Sequence, residues 1–411
     1  MFRHHNLMNF DCKSWIGYAT YPVQIELPFL NNRSIPKRTP CEDGCTMLNN
    51  KTVAVVIPAY NEEKQIIHVI STMPDFVDRI IVVNDCSTDK TADVVSDYMT
   101  KHDTGAGTVF KRHRPAHTKY NQAEVVLHEM AEKEIEYYIP SEVANSKPES
   151  DRIILINNLI NGGVGAAIAR GYKWCLDHQI FCTAVMAGDG QMDPAELESI
   201  CRPVIEEGID YVKGNRLIHR SAWLVVPKTR YIGNAVLSIL TKIASGYWHV
   251  SDTQCGYTAI SLNALQAIRI HDIYRNYGVP NDLLVKLNIA HCTAKEIGIK
   301  PIYNVGEQSK MKVSTVIPKI SWLLLKSFFK RLWIKYLLKD FHPLFLLYHF
   351  SFLLGIIAIP YAFKIANIIL FTRESVSPLT MLAFGFLFIS SFQSLLFAMW
   401  MDIQDNERLY K

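Results

Sequence analysis

The stretch from Thr183 to Leu197, TAVMAGDGQMDPAEL, holds the residues best suited to chemistry. An apolar run ends there in a small-residue turn bearing Asp189, Gln191 and Asp193. Oxygen donors are thereby delivered at the carboxyl end of an expected strand, where open α/β sheets keep their ligands. One carboxylate with a neighbouring amide suits a hard divalent ion, Mg2+ or Mn2+, that is shared with substrate phosphates and keeps several waters. The turn is read as a metal and diphosphate site. The competing reading is an acidic turn that merely closes a strand.

Other polar clusters follow apolar runs in the same way. Pro58, Tyr60, Asn61 and Glu62 follow VAVVIP, and Asn84, Asp85, Ser87, Thr88 and Asp89 follow RIIVV. In a doubly wound sheet both loops face one crevice. Asp85 and Asp89 have the chemistry to accept hydrogen bonds from a ribose or a base edge, and Tyr60 could stack on the base. Alternatively Ser87, Thr88 and Asp89 cap the helix TADVVSDYMTK, which leaves Asp85 unexplained. Gly163 and Gly165 permit close backbone approach at a helix start, either to hold an anion or to pack the helix against the sheet. Arg216 closes DYVKGNR, where a guanidinium makes a natural fork for phosphate oxygens; a solvated surface arginine is the other reading.

These residues need a sheet to position them. VAVVIP, a helical NEEKQIIHVISTM and RIIVVND make a βαβ unit, and the alternation resumes after DRIILIN and IFCTAVM. The expected fold is α/β, with a catalytic domain over 51–315 that is interrupted by a polar insertion at about 112–150. Residues 1–50 read as an irregular extension broken by prolines and asparagines. Residues 316–340 alternate lysines with Trp, Leu and Phe, which suits amphipathic helices in a membrane interface. Residues 341–411 hold two uncharged stretches, about 343–363 and 379–401, each long enough to span a bilayer. Six basic residues between Lys319 and Lys339, against Lys364 and Arg373 between the spans, place the catalytic domain on the cytoplasmic side.

Composition narrows the partners. The 411 residues allow two or three units, and 49% are apolar, concentrated after about residue 316. A net charge of +4 is too small to argue for nucleic acid, and none is expected as a partner. Nine scattered cysteines suit a reduced compartment rather than a disulfide framework. Cys41 and Cys45 lack a second pair at zinc spacing. The first residues carry no apolar signal core, so the amino end is not expected to cross a membrane. A homo-oligomer is compatible with all of this.

From about Thr52 to Lys312, insertion excepted, the chain resembles the inverting glycosyltransferases of family 2. The matching blocks occur in that family's order: VVIPAYNEE, VVNDCSTDKT, NGGVGAAIARGY, GDGQMDP, GNR and SDTQCGYTAIS. It is most similar to the polyprenyl-phosphate (dolichol-phosphate) mannosyl- and glucosyltransferase branch, helped by QSKMK at 308–312. The resemblance implies a single nucleotide-sugar-binding domain, Rossmann-like and of glycosyltransferase A type. It implies that Pro58, Tyr60, Glu62 and Asp85, with Gly165, hold the nucleotide sugar. Asp189 and Gln191 match the metal and diphosphate ligands, and Arg216 a phosphate contact. Asp252, Gly256, Tyr257, Ser309 and Lys310 match the acceptor side. There are two departures: Ala187 stands where the family has the first aspartate of its metal turn, and Asn84 where an acidic residue is usual.

The acceptor decides whether a base is required. A hydroxyl must lose a proton during attack and needs a positioned carboxylate, whereas a lipid phosphate is already an anion. Asp282, placed before the helix that follows YGVP, resembles the family's base and is also a good helix cap. The expected activity is transfer of a hexose from a nucleotide sugar to polyprenyl phosphate, with Asp282 not an essential base. A hydroxyl of a lipid-linked glycan is the alternative acceptor. A silent membrane-bound sugar-nucleotide-binding scaffold, motivated by Ala187, is the alternative from another class.

Overall fold

The computed structural model describes residues 48–102, 105, 107–109, 111–112, 115–302, 313–371 and 375–411. The readings at Cys41, Cys45, Ser309, Lys310 and Arg373, and nearly all of the amino-terminal extension, lie outside them. The described residues divide into two compact units, one running from 48 to 328 with 403–411, the other from 329 to 402.

The first unit is an eight-stranded sheet covered on both faces. In chain order its elements are β1 (Val53–Ala59), α1 (Ile66–Ser71), β2 (Arg79–Asn84), α2 (Thr91–His102), α3 (Gln122–Lys133), β3 (Ser141–Val143), β4 (Ile153–Asn158), α4 (Val164–Asp177), β5 (Cys182–Val185), α5 (Leu197–Glu206), β6 (Tyr211–Asn215), α6 (Ala222–Val225), α7 (Lys228–Ser245), β7 (Thr258–Ser261), α8 (Leu262–Ala267), α9 (Val279–Ile289) and β8 (Ala294–Gly298). The strand order is β3-β4-β2-β1-β5-β7-β6-β8. β4, β2, β1 and β5 run parallel, as the unbroken apolar runs predict for strands buried on both faces. Successive side chains alternate between two cores: Ala54 and Val56 join Ile81, Ile154 and Trp174, whereas Val53, Val55 and Ile57 join Val82, Leu155 and Ile200.

β7 departs from the βα alternation. It inserts antiparallel between β5 and β6, with Thr258 opposite both Val185 and Lys213. The segment that enters β7 therefore lies at the edge where β5 and β6 end.

The carboxyl end of the insertion joins the sheet. Its β3 pairs antiparallel with β4, Ser141 opposite Asn158, and closes that edge. Beyond β3 the Asn145 side chain continues the ladder, accepting from Leu155 N at 2.9 Å and donating to Ile153 O at 2.8 Å. Residues 403–411 reach the opposite edge: Ala294 N donates to Leu409 O at 2.8 Å and Lys411 N to Ala294 O at 3.0 Å.

After the sheet come α10 (Val313–Trp333), which runs on as a π-helical turn to Lys339, then α11 (Pro343–Phe371) and α12 (Pro378–Glu407). A single helix thus replaces the several interfacial helices expected over 316–340. α11 and α12 are long and apolar enough to cross a membrane, and little of either apolar stretch is buried. At 29 and 30 residues they outrun the expected spans. Lys364 consequently lies inside α11, not in the connection. Within the second unit Ser351 Oγ donates to Ser391 O at 2.8 Å and Ser391 Oγ to Ser351 O at 2.9 Å, the type of polar contact that holds apolar helices together.

Arg331 and Lys335, two of the six basic residues between Lys319 and Lys339, are fully buried. The Arg331 guanidinium forks onto Asp402 at 2.7 and 2.8 Å, and Tyr336 OH donates to the same carboxylate at 2.9 Å. Lys319 and Lys326 remain exposed, with Lys330 and Lys339 half-buried.

Candidate active site

The loops after β1 and β2 are laced together. Asn61 N donates to Ser87 Oγ at 3.0 Å, Thr88 N to Asn61 Oδ1 at 2.8 Å and Glu62 N to Thr91 Oγ at 2.9 Å. Asp89 accepts from Thr91 N, Thr91 Oγ and Glu63 N. Burial raises its pKa, but these bonds hold it below the usual carboxylate range. Asp89 therefore caps α2 while stitching the loops. Asn61 and Cys86, one in each loop, both take a left-handed φ of 56°, and such backbone strain gathers at functional sites. Tyr60 stands at the rim, 38% exposed, with Pro58 and Glu62 half-buried beside it.

Asp85 is almost wholly buried. Its carboxylate accepts from Asn158 Nδ2 at 2.8 Å, Gly162 N at 2.9 Å and Gly163 N at 2.7 Å. The N–H groups before α4 thus hold a protein carboxylate. Of the roughly four lone-pair sites on a carboxylate, one is left for a ribose or base donor. Gly165 N donates to Arg275 O at 2.7 Å, so it is not offered to an anion. A Cβ at Gly165 would fall 2.0 Å from Tyr274 O, the close packing that glycine permits.

The turn after β5 is folded on its own side chains. Gln191 N donates to Asp189 Oδ1 at 3.0 Å, Gly190 takes φ 74°, and Ala187 N points at Met192 Sδ. Asp193 starts the next helical turn, accepting from Ala195 N at 2.9 Å beside Pro194. Asp189 and Gln191 are half-buried. Among the described residues no group of three His, Cys, Asp or Glu side chains gathers for a metal. The donor set fits an ion completed by diphosphate and water, not one enclosed by protein alone.

Arg216 and Asp252 meet directly. Nε lies 2.8 Å from Oδ2 and Nη2 3.0 Å from Oδ1, and Arg216 N donates to Oδ2 at 3.1 Å. Burial pushes the Asp252 pKa up, but the guanidinium more than offsets this and holds it below the ordinary range. Tyr257 OH donates to Asp193 O at 2.9 Å, which joins this segment to the Asp189 turn. Gly256 lies between, and a Cβ there would meet only the Met192 methyl, at 3.4 Å.

Two residues not singled out from the sequence belong to this cluster. Glu296 accepts from Ser251 N at 2.8 Å, Asp252 N at 3.1 Å and Asn215 Nδ2 at 2.7 Å. Buried Lys213 donates to Cys255 O, and burial lowers its pKa. A lysine inside the strand DYVKGN is the signal that could have found the second. Nothing local marks the first.

Asp282 lies within the first turn of α9, not before it; Gly278 is the cap. Its Oδ2 accepts from Tyr274 N at 2.9 Å and from Lys286 Nζ at 2.5 Å. Next to it Asn281 Oδ1 accepts from Gln254 Nε2 at 3.1 Å, which ties α9 to the segment entering β7.

One edge of the sheet therefore carries the laced loops after β1 and β2, an oxygen-rich turn and a guanidinium–carboxylate pair, an arrangement suited to binding a nucleotide sugar. Residues 54–120 match the glycosyl transferase family 2 model. The chain is 26% identical over 265 residues to an uncharacterized protein of Methanocaldococcus jannaschii, covering 64% of this chain and 86% of the relative. It is 26% identical over 261 residues to the UDP-N-acetylglucosamine--dolichyl-phosphate N-acetylglucosaminyltransferase of Methanococcus voltae, covering 62% and 87%. It is 23% identical over 299 residues to a dolichyl-phosphate beta-glucosyltransferase of Trichomonas vaginalis, covering 68% and 74%. Among solved structures it is similar to Mycobacterium tuberculosis glucosyl-3-phosphoglycerate synthase with UDP, at 18% identity, 69% and 80% coverage and a TM-score of 0.41. The chain is thus similar to glycosyltransferases, through the family 2 model over residues 54–120 and through named relatives over about two thirds of its length.

Proposed function

We propose that the chain transfers a hexose from a nucleotide sugar to polyprenyl phosphate at the cytoplasmic membrane face, with inversion. The observation that carries this is Asp282. Its carboxylate oxygen Oδ2 is engaged in holding Lys286 and the Tyr274 backbone, a structural task. An acceptor that arrives as an anion needs no base: its phosphate oxygen bonds to the anomeric carbon as the bond to the donor diphosphate breaks, and no proton is removed. Arg216 would offset charge on the departing diphosphate. Asp189 and Gln191 would hold a divalent ion, Mg2+ or Mn2+, which supplies further neutralisation of that leaving group.

Two further observations support the lipid acceptor. α11 and α12 are fit to keep the chain at a membrane, and the Methanococcus voltae and Trichomonas vaginalis relatives are named for dolichyl phosphate. Exposed Lys319 and Lys326 favour the cytoplasmic side.

Transfer to a glycan hydroxyl is the second reading. It is favoured by Asp282 Oδ1, for which the described residues provide no hydrogen bond. Asp282→Asn separates the two. With polyprenyl phosphate as acceptor, turnover should stay within about tenfold of the native chain; a loss of about 10²–10⁴, the usual value of a positioned base, with donor binding intact would favour the hydroxyl.

A further inference from the structure

We propose that Glu296 is a positioning residue that sets the Arg216–Asp252 pair, and through it the guanidinium that meets the donor diphosphate. This rests on the assignment of Arg216 above. Glu296 lies on β8 opposite Lys213 of β6, and its carboxylate bonds to both segments that carry the pair. On one side it accepts from the backbone N–H groups of Ser251 and Asp252. On the other it accepts from the amide of Asn215, the residue before Arg216.

Asn215 passes the constraint on. Its Oδ1 accepts from Leu217 N at 2.8 Å and Ile218 N at 3.3 Å, which folds the chain just after Arg216. One carboxylate thus fixes the backbone of Asp252 and the turn holding Arg216. Asn215 and Asp252 are both fully buried, so no water competes for these bonds. Burying a carboxylate is costly unless its acceptors are used. Here each bond serves the pair.

The donor and acceptor pattern makes the idea testable without changing volume. Glu296→Gln keeps an oxygen for Ser251 N and Asp252 N but turns an NH2 toward the NH2 of Asn215. If Asn215 flips to accept, Leu217 N and Ile218 N lose their acceptor. Adding Asn215→Asp reverses the conflict, because an aspartate accepts from the glutamine and from both N–H groups while the net charge of the native pair is kept.

The test is nucleotide binding and steady-state transfer by the full chain, using UDP and GDP against UMP and GMP. Glu296→Gln should weaken diphosphate binding about ten- to a hundredfold and raise donor KM, as loss of charge-assisted bonds predicts. Monophosphate binding and thermal stability should change far less, and the Glu296→Gln, Asn215→Asp double variant should recover. Equal losses for mono- and diphosphates, or no recovery in the double variant, would reduce Glu296 to a packing role and overturn the inference. If the glutamine variant does not fold, Glu296→Asp takes its place, with a smaller diphosphate-selective loss expected and native binding overturning the idea. Arg216→Lys runs in parallel. Native diphosphate binding by that variant would remove the assignment of Arg216 and the inference with it; impaired binding there with native binding in Glu296→Gln would remove the inference alone.

Discussion

Ala187 concentrates the question of how this turn handles charge. Where relatives in the resembling family carry a carboxylate, the chain presents a methyl, half-buried, with its N–H aimed at Met192 Sδ. Asp189 is then the remaining acidic donor of the turn. Asp189→Ala should lower transfer by about 10²–10³, the scale of losing one preorganised electrostatic contact, and Ala187→Asp should tighten the dependence on Mg2+ or Mn2+. Initial rates across an ion titration check both; full activity of Asp189→Ala would remove the turn from the site. Single residues were legible where chemistry and local backbone coincide. Asp193 starts a helix beside a proline, and Arg216 follows a strand. Asp85 was legible as unusual, but not its partners, since Asn158, Gly162 and Gly163 reach it only through the pairing of β2 with β4. Glu296 was not legible because its job is assigned by β6 pairing with β8, some eighty residues apart.

Among the elements, the parallel centre of the sheet could be read from its apolar runs, whereas its two additions could not. β7 is four residues long and pairs antiparallel, with no hairpin signal nearby. β3 is three residues inside a polar segment, and only closure of the β4 edge gives it a purpose. Helix α4 shows how an element start can be used in more than one way. Its leading glycines suggested an anion, yet Gly162 N and Gly163 N hold Asp85, and Gly165 lets the chain at Tyr274 and Arg275 pack closely. Gly165→Ala would ordinarily help a helix by about 1 kcal/mol. Here the added methyl has no room, and a net loss of about 1–3 kcal/mol is expected from overpacking. Chemical denaturation of the catalytic unit measures it, and a gain in stability would show that the Tyr274 segment yields.

At the scale of the molecule, two long apolar helices and their approximate place were readable, because length and apolarity suffice for that. Helix ends were not readable: Lys364 stays in α11 and Asp402 in α12, the latter matched by buried Arg331. The pairing of the tail with the sheet was not legible. Leu409 joins the main core, Asn406 Oδ1 accepts from Asn288 Nδ2 at 2.7 Å, and Tyr410 bridges to Ala294. Leu409→Ala should therefore destabilise the catalytic unit by about 2–5 kcal/mol, as for other buried leucines. A thermal melt followed by bound nucleotide tests this; an unchanged melt would make the tail an ornament.

That tail also imposes an order on biosynthesis. Residues 403–411 leave the ribosome only after both apolar helices, yet they complete a sheet whose other strands were made long before. The nascent first unit must wait, with the β8 edge uncovered, through translation of both apolar helices. Both apolar helices are thus on the chain before the sheet edge at Ala294 can be paired.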